Sequence, residues 1–132
     1  MPLMNNTIGP RPTAAELEIL GVLWQRGPST VRDVHNVLGR TKQTGYTTIL
    51  KLMQIMTEKG LVRRNEDQRA HVYEASAPQD QTQRQLVRDL VDRAFNGSAT
   101  NMVMQALSAR KASAEELAQI RKLLDEYERG IR

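Results

Sequence analysis

Tyr46, Thr47, Thr48 and Lys51 combine polar chemistry with a spacing that can use it. They interleave with Ile49, Leu52, Met53 and Met56, which recur at helical spacing and claim the core side of the same segment. Hydroxyls can bond phosphates or base edges, a threonine methyl can touch a thymine methyl, and a lysine can reach a phosphate or a guanine. The amino end of such a helix also offers free backbone amides to an anion. Lys42 and Thr44 lie just ahead of this segment, and Arg63, Arg64 and Arg69 follow it on a β-prone stretch. This set of residues suits a phosphate-bearing polymer.

The charge distribution agrees. Residues 40–71 hold seven basic and three acidic side chains, so this stretch carries +4, equal to the formal excess of the whole 132-residue chain. A local basic cluster is the usual footprint of a phosphate-binding surface. Only 4% of residues are aromatic, which leaves few platforms for stacking single strands and favours double-stranded DNA. Cysteine is absent, which excludes disulfides, thiolate metal sites and thiol catalysis. The two histidines, His35 and His71, belong to no metalloprotease, phosphate-loop or dinucleotide motif. Neither an enzyme nor a metal or cofactor site is expected. No apolar run approaches the ~18–20 residues of a membrane span, and residues 1–10 do not read as a secretory signal, so a cytoplasmic protein is expected.

Positioning these residues takes a scaffold. Residues 1–10, with two prolines and several polar residues, read as a flexible arm. Thr13-Ala14-Ala15-Glu16 is a capping box opening a first helix, which Gly27-Pro28 stops. Thr30 caps a second helix with Val31, Val34 and Leu38 on one face, and Gly39 is expected to end it. The third helix runs from Gly45 to Lys59, with Gly60 as a left-handed C-cap. Leu61–Arg64 and Ala70–Glu74 then read as a hairpin with a charged tip. Helix, helix, helix and basic hairpin is the layout of a winged helix-turn-helix, expected over residues 11–76 around a core of aliphatic residues and Met.

Residues 77–132 return to helical periodicity over Gln81–Phe95, Ala99–Ala109 and a segment opened by the capping box Ser113–Glu116. Some 55 residues cannot easily close a core alone. Leu86, Leu90, Met102, Val103, Leu107, Leu117, Ile120 and Leu124 therefore need a partner surface, and a twofold copy is the commonest answer. The expected protein is mainly α with a small β-hairpin wing: an N-terminal winged helix and a C-terminal helical dimerisation region. The alternatives are a monomer whose last helices fold back, a winged helix used for protein docking, and a ligand-sensing winged-helix regulator.

Thr13–Leu20 with Leu23-Trp24, Tyr46–Leu52, Lys59–Arg64 and His71-Val72-Tyr73 together resemble the first helix, recognition helix, wing entry and returning wing strand of the BlaI/MecI family. These are the penicillinase and methicillin-resistance repressors. The resemblance spans roughly Arg11 to Tyr127. It implies a homodimeric transcriptional repressor that binds an inverted-repeat operator. In the antibiotic-resistance branch it also implies a membrane-bound sensor metalloprotease and cleavage within the dimerisation region, here near Gln105-Ala106, where the well-known members have Asn-Phe. The copper-responsive branch uses a cysteine-rich metal motif, which this chain lacks.

Overall fold

The computed structural model describes residues 11–67 and 69–132, with Thr41 and Lys42 described by backbone alone. The expected arm, residues 1–10, lies outside the described residues. Three helices come first: α1 (Ala14–Arg26), α2 (Val31–Lys42) and α3 (Tyr46–Lys59). Strands β1 (Val62–Asn65) and β2 (Val72–Ala75) follow, then α4 (Gln79–Ala94), α5 (Ala99–Ala109) and α6 (Ala114–Glu128). The chain divides into two compact units, one ending at Val87 and the other running Arg88–Arg132. Among the described residues, no helix is long and apolar enough to cross a membrane.

The helix starts follow local side-chain chemistry. Thr13, Thr30 and Ser113 each accept from the amide three residues on, and Glu16, Asp33 and Glu116 reach back to the cap amides. Ser98 caps α5 by accepting from the Asn101 amide at 3.1 Å. Gly60 adopts φ 82°, a left-handed cap that a β-carbon would strain, and Leu61 N donates to Met56 O at 2.9 Å to turn the chain into the wing.

One expected boundary is wrong. Gly39 does not end α2, which runs on to Lys42 and stops at Gln43 in the left-handed region (φ 53°). A glycine inside a helix costs about 1 kcal/mol relative to alanine. At this position it makes room for the His35 ring one turn earlier: a β-carbon on residue 39 would sit 3.3 Å from His35 Nε2.

The first unit holds the core. Ile19, Leu20 and Leu23 of α1, Val34 of α2, and Ile49, Met53 and Met56 of α3 are buried together. The aliphatic expectation has one exception, Tyr73 of β2, which is 2% exposed. The hairpin is antiparallel, with Val62 opposite Ala75, Arg63 opposite Glu74 and Arg64 opposite Tyr73. It is anchored to the helices because Ser29 and Tyr73 exchange backbone bonds of 2.9 and 2.8 Å, with Ser29 itself buried. Trp24 Nε1 donates to Ala77 O at 2.9 Å and so holds the chain leading into α4.

Glu16 has a second role beyond capping. It is 2% exposed, and Lys59 at the end of α3 donates to both of its carboxylate oxygens, at 2.8 and 3.1 Å. Burial alone would push its carboxyl up. The bonds from Lys59 and the Thr13 amide outweigh that and hold it below the ordinary carboxylate range. The pair clamps the carboxyl end of α3 to the amino end of α1.

Helices α4, α5 and α6 contain no buried residue. Leu90, Val103 and Leu124 are 48%, 42% and 59% exposed, Leu107 is also exposed, and Leu86, Met102, Leu117 and Ile120 are half-buried.

Candidate nucleic-acid interface

The amino-terminal half of α3 sorts its side chains by function. Ile49 and Met53 are fully buried, while Tyr46, Thr47, Thr48 and Lys51 are exposed on the other side. Two hydroxyl groups, a phenol and an ammonium therefore stand on one solvent face of a helix fixed to the core at both ends. Gly45 supplies the N-cap and makes no side-chain cap bond, so the first-turn amides are not used by a capping side chain. Thr44 is half-buried in the preceding turn, and the Lys42 side chain lies outside the described residues.

His35 is not among the residues that the sequence singles out, yet it touches this face. Its ring meets Tyr46 edge-on, with centroids 5.9 Å apart and planes at 79°. Such contacts contribute about 0.5–1.5 kcal/mol beyond area burial. The gap left by Gly39 lets the imidazole lie along α2 and brace the first residue of α3. Its sequence signal is a histidine four residues before a glycine, too weak to read without the fold.

The wing brings Arg63 and Arg64 onto one strand but on opposite faces. Arg63 lies on the outer face and forms an ion pair with Glu74 across the hairpin, Nη2 to Oε1, at 3.2 Å. Arg64 lies opposite Tyr73, bonds its side chain and pairs with Glu66, which keeps the guanidinium firmly in its charged form. Arg69 is exposed near the tip, where Asn65 accepts from the Asp67 amide at 2.9 Å. The wing therefore carries more carboxylate than a count ending at His71 suggests, because Glu74 sits directly across from Arg63. Among the described residues, Lys51, Arg32 and Arg69 have no carboxylate partner. No cluster of three or more His, Asp or Glu among them could hold a metal ion.

This arrangement can bind an extended anion: a polar helix start bears the hydroxyls and Lys51, and a hairpin stands beside it. Comparisons with known proteins agree with that chemistry. The family model described as penicillinase repressor matches residues 12–126. The chain is 30% identical over 116 residues to the transcriptional regulator BlaI of Mycobacterium tuberculosis, covering 87% of this chain and 83% of that protein. It is 24% identical over 118 residues to the penicillinase repressor of Bacillus licheniformis, covering 89% of this chain and 92% of that one. In fold it resembles a transcriptional regulator of Thermotoga maritima, with TM-score 0.50 at 18% identity, over 90% of this chain and 78% of that one. With the family match running from the start of α1 through the wing and into the last turn of α6, the chain belongs to the penicillinase repressor family.

Proposed function

We propose that this protein is a transcriptional repressor that binds an inverted-repeat operator in duplex DNA as a homodimer. The observation that carries the reading is the polar face of α3. Tyr46, Thr47, Thr48 and Lys51 are exposed on a helix whose opposite face is buried, and a short helix of this kind fits the major groove. In this reading Lys42, Thr44 and those four residues meet base edges and phosphates, and Arg63, Arg64 and Arg69 hold the flanking backbone or minor groove. Residues 11–76 form the DNA-binding domain.

Residues 77–132 supply the dimer through Leu86, Leu90, Met102, Val103, Leu107, Leu117, Ile120 and Leu124. The complete lack of buried residues in α4–α6 supports this, because helices with apolar stripes need a surface to cover them. Two copies present two α3 helices to half-sites separated by about one or more turns of DNA, ~34–36 Å each. Induction by a membrane-bound sensor protease, with cleavage at Gln105-Ala106, belongs to the same reading. Both residues are exposed on α5, whose lack of buried side chains makes local unwinding into a protease cheap.

The test is footprinting of the full chain on the promoter of its own gene. The expected result is a protected inverted repeat, lost in Lys51→Ala while the thermal midpoint stays unchanged. Absence of any protected repeat refutes the repressor reading.

A further inference from the structure

Between the amino end of α2, the start of α3 and the wing lies an open cleft of about 540 Å³. Its rim carries Arg32, Tyr46, Arg69 and His71, and its floor is made by Leu50 and the buried Tyr73. No carboxylate lines it among the described residues. The nearest acid along α2, Asp33, is engaged elsewhere, by the Thr30 amide at 3.0 Å and by Arg26 at 3.5 Å. The first two residues of α2, Val31 and Arg32, both border the cleft.

The free positive charge gathers here rather than on the wing strands. Arg63 and Arg64 are matched by Glu74 and Glu66, so a phosphate approaching them must compete with a carboxylate already in place. Arg32 and Arg69 face no such competitor. The shape also selects the ligand. A cationic rim over an apolar floor matches a deoxyribose-phosphate unit, whose sugar face is apolar and whose phosphate carries the charge. A polyglutamate chain would set carboxylates against the rim but give the floor no matching ring face.

We infer that this cleft is the principal seat for the phosphodiester backbone of duplex DNA, with Arg32 on α2 as a contact residue in its own right. The inference rests on the duplex-DNA reading proposed above. It assigns the largest share of the sequence-independent affinity to Arg32 and Arg69, and a smaller share to Arg63 and Arg64, whose carboxylate partners compete with phosphate.

The experiment is a fluorescence-anisotropy titration of the full chain against a random-sequence duplex at several salt concentrations, with polyglutamate as a competitor. Each phosphate neutralised contributes a slope of about −0.9 to log K against log salt. Arg32→Ala is expected to flatten the slope by about 0.9 and to weaken binding about eightfold at ~0.1 M salt. The double variant Arg84→Ala/Asp80→Ala, which removes a matched surface pair on α4 that does not line the cleft, is expected to leave the slope unchanged. Arg32 is exposed, and circular dichroism checks that its variant still folds. A wild type that binds with a slope Arg32→Ala does not alter refutes the seat and leaves the DNA reading standing. A slope lost equally in the double variant, or displacement of the duplex by polyglutamate at equal charge, also overturns it. A wild type that binds no duplex at low salt overturns the DNA reading itself.

Discussion

Replacing Glu16 with glutamine isolates one charge at the joint between α1 and α3. Glutamine keeps the capping geometry, because an amide oxygen accepts from the Thr13 amide as the carboxylate does at 2.8 Å. What it loses is the charge that meets Lys59 at 2.8 and 3.1 Å. Hydrogen bonds to charged groups contribute about 1.5–3 kcal/mol, and a neutral acceptor retains part of that. Lys59 is 30% exposed, so solvent screens the pair further. The expected cost of Glu16→Gln is about 1–2 kcal/mol, or a fall of about 5–10 °C in thermal midpoint for a unit of this size. The pH dependence follows from the depressed carboxyl. A group held below its ordinary range contributes stability above its unfolded pKa and loses it as the pH falls through the folded value. Thermal melts followed by circular dichroism should therefore show the full deficit of the Glu16→Gln variant at neutral pH and a shrinking one as the pH falls below the ordinary carboxylate range. An unchanged midpoint at neutral pH, or a deficit that persists undiminished in acid, refutes the assignment of the stability to this charge.

Two other changes probe the interface and the oligomer. Leu124→Asp sets a charge on an apolar side chain that is 59% exposed in the single chain. If two such leucines, each contributing about 1.5 kcal/mol or more, are covered across a twofold axis, dimer affinity should fall at least about 100-fold in sedimentation equilibrium, and a persisting dimer counts against that surface. His35→Ala should weaken binding to the protected repeat about threefold to tenfold with no change on random duplex, and His35→Phe should restore it. An equal loss on both duplexes would mean that His35 serves general folding rather than the placement of Tyr46.

What the sequence reveals depends on how far apart the cooperating residues lie. The starts of α1, α2 and α6 are readable because a capping box is complete within four residues, as at Thr13–Glu16 and Ser113–Glu116. The polar face of α3 is readable because helical periodicity separates Lys51 from Met53 without any partner being known. Glu16 looks like a cap alone, since Lys59 lies 43 residues away and nothing local announces the pairing. The end of α2 misleads for the converse reason. Gly39 is a local stop signal, yet α2 runs on to Lys42, and a β-carbon at residue 39 would crowd the His35 ring at 3.3 Å.

The wing shows why a linear charge count misplaces the electrostatic site. Residues 40–71 carry +4, but the hairpin returns Glu74 to the position opposite Arg63, and Glu66 bends back onto Arg64. Antiparallel pairing brings charges together that a window along the chain keeps apart, and opposite charges facing each other across strands attract. Such pairs stabilise a two-stranded sheet that has little area of its own to bury. They also leave the wing strands close to neutral toward an approaching polyanion. Lys51 on α3 and Arg32 and Arg69 beside the cleft, by contrast, have no carboxylate partner among the described residues. In the reading proposed above, phosphate affinity and base selection arise on adjoining elements: the cleft holds the backbone, and the exposed face of α3 reads the groove next to it.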